Sequence, residues 1–292
     1  MDKITLFLMN KKGYSVLKSI IENIGCEIID KVISYTDEGI VEDYYGEIYT
    51  LCCNNDIEFY NKNELISINT EYSFAVGWKW IIKEVRNLIV LHDSILPKYR
   101  GFSPLVNALI NGENELGVTA LLANLDYDKG DLISQQKVKI TYPIKISEAI
   151  DIISKLYSSI IIELCKKIIN NEKIKLSRQD DEVATYSLWR DNDDYFINWN
   201  DDAEKIKRFV DAVGFPYSGA KSLLDNKVII IDDVDIEDDV IIENRDVGKV
   251  IFIKEKFPVI VCGKGLIKIN EARYEESSLD IMPLKKFRTR FK

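Results

Sequence analysis

The sequence predicts an α/β protein with two parts, and three observations predict it. The chain opens with an apolar strand at 4–9, a helical pattern at 14–24 and a second strand at 28–35, which is typical of a βαβ unit and a mostly parallel sheet. Residues 87–93 (NLIVLHD) contain a continuous apolar run, as in a strand buried on both faces. After residue 213, short alternating segments separated by turn residues indicate a small β-barrel or sandwich. We therefore expect a Rossmann-like first domain and a smaller, mainly β, OB-like second domain.

The length and the charge limit the domain number and the partners. At 292 residues the chain can hold a larger and a smaller domain, and we place them at 1–180 and 203–292, with a linker at 181–202. The 48 acidic residues against 39 basic ones give a formal charge of −9. This balance disfavours a nucleic acid as the partner.

The remaining elements follow from periodicity and turn residues. They are two strands, 72–78 and 117–125, a long amphipathic helix, 147–170, a short helix, 203–213, and four strands in the second part, at 226–232, 248–253, 257–262 and 265–272. A further helix is predicted with Ser103 as its N-cap, Pro104 at its first position and Gly112 beyond its end. The basic C-terminus, KKFRTRFK, is interpreted as a solvated terminus.

Several cofactor and location classes are disfavoured. The five cysteines show no metal-ligand spacing and the chain has one histidine, so we expect no metal. The odd cysteine number favours reduced thiols in a cytoplasmic protein. The N-terminus is predicted to be a buried strand and not a signal peptide, and no membrane span is expected. The first turn, NKKGY, lacks the spaced glycines of a dinucleotide-binding loop, which argues against NAD.

The single histidine, His92, is placed at the carboxyl end of the predicted central strand, beside Asp93 and Ser94. Ligands of open α/β sheets bind at the carboxyl ends of strands. An imidazole can exchange protons at physiological pH, and a nearby carboxylate can orient it. His92 is therefore a candidate catalytic residue, with a strand-end histidine of no catalytic role as the alternative.

The motifs around His92 carry a family resemblance. They are HDSILPKYRG at 92–101, GVT at 117–119 and DKGD at 128–131. In this order they resemble the HxSLLPxxRG, GVT and DxG elements of the formyltransferase family that uses 10-formyltetrahydrofolate. Three later segments, ATYSLW at 184–189, INW at 197–199 and FPYSGA at 215–220, resemble the junction and second domain of its methionyl-tRNA and sugar-nucleotide members. The resemblance covers nearly the whole chain.

The resemblance implies that an amine attacks a formyl carbon carried by folate N10. The formyl oxygen gains negative charge, the amine loses a proton and the folate nitrogen gains one. His92 and Asp128 are implied as the pair that exchanges protons. The family has an asparagine two positions before the histidine, but this chain has Val90 there, which offers no side-chain donor to the oxyanion. Either another group, with Asp93 a candidate part of the rearrangement, has replaced that donor, or the chain keeps the pocket without the chemistry.

The resemblance also assigns binding residues. The donor pocket is implied to include Trp80, Ile81, Val90, Leu125, Asp126, Tyr127 and Asp131, and the acceptor side Ser94, Arg100, Gly101, Phe102 and Pro104. A core position for Trp80 and simple loop acids for Asp126 and Asp131 are the alternatives. Arg100 could pair equally with a substrate phosphate or with a structural carboxylate.

The acceptor amine follows from the branch of the family. The acidic balance and the GWKW segment favour a small-molecule acceptor, a nucleotide-linked 4-amino or 3-amino dideoxyhexose for surface polysaccharide. Methionyl-tRNA formylation is the alternative enzyme activity. A folate-binding or nucleotide-sugar-binding protein without transfer activity is the hypothesis of another class. A homodimer is compatible with the resemblance.

Overall fold

The structure of the chain is a computed structural model that describes residues 3–83 and 85–292. It divides into two compact units. The first unit holds the chain up to Leu105, Asn114–Ile140 and Glu148–Trp189. The second unit holds Val106–Glu113, Thr141–Ser147 and Arg190–Lys292. Two short segments of the first half of the chain therefore belong to the second unit.

The first unit is built on a seven-stranded sheet. The strands of this sheet are β1 (Ile4–Leu8), β2 (Ile29–Ser34), β3 (Glu58–Asn61), β4 (Tyr72–Val76), β5 (Asn87–His92), β7 (Glu115–Leu122) and β8 (Leu132–Lys139). Two further strands, β6 (Arg100–Gly101) and β9 (Tyr186–Ser187), form a separate pair. The helices that precede residue 170 are α1 (Asn10–Asn23), α2 (Tyr45–Cys53), α3 (Pro104–Asn111) and α4 (Ile146–Ile169). Helices α3 and α4 both begin in one unit and end in the other.

The strand order is β3-β2-β1-β4-β5-β7-β8. The first five strands in this order are parallel, whereas β7 pairs antiparallel with β5 and with β8. The predicted Rossmann-like, mostly parallel sheet is thus confirmed. The antiparallel return of β7 pairs Thr119 with His92, so the GVT segment lies against the strand that carries the histidine.

Alternation along β5 decides which side chains share a face. Val90 packs against the cluster of Phe7, Ile33 and Ala75 on one face of the sheet. Because strand side chains alternate, His92 points to the same face as Val90, and Asp93 to the other. The face that carries His92 is covered by side chains from two loop segments, namely Ile66, Ile68, Trp78, Ile82 and Val85.

The second unit is mainly β. It contains α5 (Ala203–Val213), β10 (Ala220–Leu224), β11 (Lys227–Glu237), β12 (Val250–Lys254), β13 (Phe257–Val261) and β14 (Leu266–Tyr274). The five strands form an antiparallel sheet in the order β10-β11-β14-β13-β12. The prediction of a smaller, mainly β second part is confirmed.

The C-terminal residues pair with both edges of this sheet. Lys292 and Leu223 exchange two backbone hydrogen bonds of 2.7 and 3.1 Å, and Phe291 N–H donates to the carbonyl of Gly248 over 2.8 Å. Phe291 is 1% exposed, and its ring centroid lies 5.9 Å from that of Trp199. The basic side chains of this segment are exposed, as expected of a solvated terminus, but that interpretation does not hold for Phe291 or for the paired backbone. The aromatic side chain is buried, and the backbone satisfies two strand edges that would otherwise be open.

Three features of the described residues concern membrane spans, cysteines and metal ligands. Within residues 3–83 and 85–292, none of the helices has the length and apolar character of a membrane span. The five cysteines are all free. No group of three or more His, Cys, Asp or Glu side chains among these residues is arranged to hold a metal ion.

We expect Phe291→Ala to destabilise the protein by about 3–5 kcal/mol, the usual cost of removing a buried phenylalanine side chain. The matched control is Phe287→Ala, because Phe287 is 53% exposed and its loss should change stability by less than about 0.5 kcal/mol. Urea unfolding followed by circular dichroism measures both. Equal stability of the two variants would contradict the closing role of the C-terminus.

Candidate active site

The His92 ring is held between two acceptors. Its Nε2 lies 2.8 Å from the carbonyl oxygen of Tyr99, and since a carbonyl only accepts, Nε2 carries the hydrogen in this bond. Its Nδ1 lies 3.6 Å from Asp128 Oδ1, which is too long for a hydrogen bond but places a carboxylate oxygen beside this nitrogen. Nδ1 is therefore the ring nitrogen that can exchange a proton with a bound molecule, and the carboxylate stabilises the imidazolium that would form.

The Tyr99 carbonyl is placed by a turn with an unusual backbone. Tyr99 has φ +59°, a left-handed conformation that few non-glycine residues adopt. Its N–H donates to Thr185 Oγ1 over 2.8 Å, and Arg100 N–H donates to the carbonyl of Thr185 over 2.9 Å. The segment that enters β9 thus fixes the carbonyl that orients His92.

Asp128 is also in the left-handed region, with φ +54°. Its Oδ2 accepts a 2.8 Å hydrogen bond from Gly101 N–H, which turns the other oxygen, Oδ1, toward His92. A Cβ on Gly130 would lie 1.7 Å from the carbonyl oxygen of Leu122, so only glycine fits at this position of the DxG element. The RG and DxG elements of the sequence are therefore brought together by direct contact.

Arg100 is buried, with 1% of its surface exposed. Its Nη1 lies 2.7 Å from Asp181 Oδ1 and 3.3 Å from the hydroxyl of Tyr186, and Nε and Nη2 donate to Gln179 Oε1 over 3.0 and 2.8 Å. Burial disfavours the charged form, but the bonds with Asp181 and Tyr186 outweigh it and raise the pKa of Arg100. Of the two partners left open by the sequence, the structure shows the structural carboxylate; a contact with substrate stays a prediction.

The other acceptor-side residues divide into buried and open positions. Ser94 Oγ donates to the carbonyl of Lys98 over 2.7 Å, inside the turn. Gly101 has φ +101°, and a Cβ there would lie 2.5 Å from the carbonyl oxygen of Ser187. Pro104 begins α3 as predicted. Phe102 is exposed, and its ring centroid lies 6.0 Å from that of Tyr127, so these two rings form an open aromatic pair beside Asp128.

The tryptophans of the GWKW segment, of which the resemblance assigns Trp80 to the donor pocket, belong to a series of edge-on aromatic contacts. Phe7 contacts Trp78, Trp78 contacts Trp80 and Trp80 contacts Tyr35, with ring centroids 5.2–5.3 Å apart. Lys62 Nζ lies 4.4 Å from the Trp80 ring centroid. Trp78 Nε1 is a buried donor for which the described residues supply no acceptor.

The remaining donor-side residues are mostly open to solvent. Ile81 and Leu125 are exposed. Asp126 is exposed and pairs with Lys129 over 3.3 Å. Asp131 is half-buried, and its carbonyl accepts from Leu122 N–H over 2.9 Å. The surroundings of the two acids match simple loop positions, and donor binding by them stays a prediction.

Val90 and Asp93 do not supply an oxyanion donor. The Val90 side chain packs in the apolar cluster around Phe7. Asp93 accepts from Lys12 Nζ over 2.5 Å and from the hydroxyl of Tyr157. Because these partners come from α1 and α4, Asp93 anchors β5 to the two helices, and the suggested rearrangement around Asp93 has no support.

Sequence reasoning missed the residues that orient the pair. Gln179 lies in a polar connecting segment outside the motifs, whereas Thr185 belongs to the ATYSLW segment at 184–189, whose contact with Tyr99 was not predicted. The Tyr99 contact uses a backbone carbonyl, which leaves no trace in the residue type. The one available signal was the proximity of this segment to ATYSLW, the predicted junction.

Two family profiles match the chain. Residues 62–163 match "Formyl transferase" and residues 190–291 match "Formyl transferase, C-terminal domain". The methionyl-tRNA formyltransferase of Clostridium novyi (strain NT) is 30% identical over 225 residues, which cover 74% of this chain and 70% of that protein.

Solved structures share the fold. WlaRD, described as a sugar 3N-formyl transferase and crystallised in the presence of dTDP and 5-N-formyl-THF, superposes with a TM-score of 0.65 at 21% identity, covering 92% of this chain and 97% of its own. The N-formyltransferase of Helicobacter canadensis, in complex with folinic acid and dTDP-3-aminofucose, gives a TM-score of 0.64 at 19% identity, covering 92% and 98%. With both family profiles matched and the histidine, RG and DxG elements assembled in one site, the chain belongs to the formyl transferase family and is a formyltransferase.

Proposed function

We propose that this enzyme transfers a formyl group from 10-formyltetrahydrofolate to the amine of a nucleotide-linked amino-dideoxy sugar. The observation that carries the proposal is the His92 ring, whose Nδ1 faces Asp128 while Nε2 is held by Tyr99. A proton-exchanging nitrogen of this kind suits the deprotonation of an attacking amine. The five free cysteines suit a reducing compartment, so we place the reaction in the cytoplasm.

The donor side fits a flat, partly aromatic ligand with hydrogen-bonding edges. Trp78 Nε1 is buried without a partner among the described residues, and Trp80, Ile81 and Tyr127 offer exposed apolar surface. These residues, with Leu125, would hold the folate. When bound, 10-formyltetrahydrofolate supplies an electrophilic formyl carbon and a leaving nitrogen, N10.

The residues of the chain then have defined tasks. A bond forms between the acceptor nitrogen and the formyl carbon, and the bond to N10 breaks. His92 Nδ1 accepts the proton that the acceptor amine loses, and the same proton returns to N10, so atoms and charge balance. Asp128 stabilises the imidazolium between these two transfers. With Val90 in place of an amide donor, we assign the stabilisation of the oxyanion to the imidazolium N–H of His92.

The acceptor side favours a nucleotide sugar. The rings of Phe102 and Tyr127 are exposed beside Asp128, and aromatic faces of this kind stack on bases and sugar rings. Residues 190–292 contain 18 lysines and arginines against 21 aspartates and glutamates, a balance of −3, which is unfavourable for a tRNA. Two structural neighbours were crystallised with dTDP or a dTDP-amino sugar, which supports the same class.

Methionyl-tRNA formylation is the second candidate, because the matched sequence relative carries that name. We expect purified protein with 10-formyltetrahydrofolate to add 28 Da, the mass of CO by the chemistry of formylation, to a dTDP-3-amino or dTDP-4-amino dideoxyhexose, read by mass spectrometry. The same protein should leave methionyl-tRNA unformylated at physiological salt. Formylated methionyl-tRNA with no sugar product would reverse the assignment. A rise in melting temperature with ligand but no product from any acceptor would favour a binding protein.

Asp128→Asn and His92→Asn should each lower kcat by about 10²–10⁴-fold, the usual contribution of a positioned acid–base group. The matched control is Asp56→Asn, because Asp56 has the same φ of +54° as Asp128 but is an exposed loop residue after α2. All three variants should keep the wild-type circular dichroism spectrum. Full activity of His92→Asn would remove His92 from the mechanism.

Val90→Asn should destabilise the protein by about 1–3 kcal/mol, because Phe7, Ile33 and Ala75, against which the side chain packs, offer an amide no side-chain hydrogen-bond partner. We expect no gain in kcat, since the surroundings of residue 90 have been rebuilt around valine. Val41→Asn is the control, as Val41 is 73% exposed. A stable Val90→Asn enzyme that is faster, by up to about 10²-fold if the amide acts as an oxyanion donor, would show that the ancestral geometry has been kept.

A further inference from the structure

Gln179 makes four hydrogen bonds at the back of the active site. Its Nε2 donates to the carbonyls of Asp128 and Gly130 over 2.7 and 2.8 Å. Its Oε1 accepts from Nε and Nη2 of Arg100 over 3.0 and 2.8 Å. Both donors and both acceptor lone pairs of the amide are therefore used.

The orientation of this amide is determined by its partners. An arginine only donates and a backbone carbonyl only accepts, so the oxygen of Gln179 must face Arg100 and the nitrogen must face the loop at 128–130. Arg100 in turn is fixed by Asp181 and by Tyr186. Gln179 thus joins the buried arginine of the RG element to the backbone of the DxG element.

The 128–130 loop, which accepts hydrogen bonds from Gln179, contains a backbone conformation that other contacts have to stabilise. Asp128 has φ +54°, and a left-handed non-glycine residue persists only when surrounding contacts stabilise it. The carboxylate of Asp128 is fixed by a single backbone donor, Gly101 N–H. The peptide backbone on either side of Lys129 is fixed by Gln179.

We propose that Gln179 is a positioning residue for the proton-exchanging pair, which holds the 128–130 loop so that Asp128 stays beside His92 Nδ1. The proposal rests on the role of His92 and Asp128 given above, but not on the identity of the acceptor. Gln179 touches neither His92 nor a reacting atom and acts through the backbone of Asp128. Arg100 contributes by fixing the amide, which gives the buried arginine of the RG element a task other than substrate contact.

The single histidine of the chain makes a direct test feasible, because a ¹⁵N-histidine spectrum contains the two ring nitrogens of His92 and no others. The variant is Gln179→Met, which keeps the length of the side chain and removes its hydrogen bonds. The matched control is Gln136→Met, because the half-buried Gln136 of β8 donates from Nε2 to Ser159 Oγ over 3.0 Å in a solvent-exposed hydrogen bond. Asp128→Asn defines the spectrum of a His92 ring without its carboxylate.

We expect the Nδ1 signal of Gln179→Met to move from the wild-type position toward that of Asp128→Asn, and the signal of Gln136→Met to stay. In turnover, kcat should fall by about 10–100-fold, as for a misplacement on the order of 1 Å, while KM for the folate changes little.

If Gln179→Met fails to fold, Gln179→Glu replaces it, because its carboxylate still accepts from Arg100 and loses both donors. An unmoved Nδ1 signal in a folded Gln179 variant would overturn the proposal. The spectrum decides this even if no acceptor gives a product, so failure here is separate from failure of the proposed function.

Discussion

The hydrogen bond from His92 Nε2 to the carbonyl of Tyr99 is the interaction on which the rest of the site depends. It uses one nitrogen of the only imidazole in the chain and so leaves the other to face Asp128. Without it, the ring could rotate and present either nitrogen to a substrate. Tyr99 itself has a left-handed backbone, and the bonds of Tyr99 N–H and Arg100 N–H to Thr185 hold its carbonyl in place.

Because strand side chains alternate, the candidate catalytic His92 and the anchoring Asp93 lie on opposite faces of the sheet. Val90 and His92 lie on one face of the sheet, and Asp93 on the other, where Lys12 and Tyr157 bind its carboxylate. A buried ion pair adds little net stability because both charges lose water. It does, however, fix the end of β5 to α1 and α4, so the strand that carries the histidine has little freedom at its carboxyl end.

Much of the fold followed from local patterns. The apolar run of β5 and the Pro104 start of α3 were predicted within a residue or two, because the burial of whole strands and the turn residues leave a clear signal. The helix α1 begins at Asn10, four residues before the predicted Tyr14, since lysines in its first turn hide the apolar period. Strand β8 was missed, because its alternating residues are polar and half-exposed.

The sequence predicted the site residues that act through side chains in motifs, but not the backbone groups that orient them. His92 and Asp128 come together as the resemblance implied. The Tyr99 carbonyl and the Gln179 amide could not be predicted, because Tyr99 acts through its backbone and Gln179, which lies outside the motifs, acts through a contact across 51 residues. The burial of Phe291 could not be predicted for a similar reason, because a basic terminus is interpreted as solvated unless the strand edges that pair with it are known.

The most direct test of the account is the tautomer of neutral His92 in the wild-type enzyme, read from its two ¹⁵N ring signals at a pH above the titration of the imidazole. The account predicts that the hydrogen is on Nε2, bonded to Tyr99, and that Nδ1 carries the lone pair beside Asp128. A hydrogen on Nδ1 would contradict it, because the nitrogen assigned to proton exchange would then already be a donor to the carboxylate.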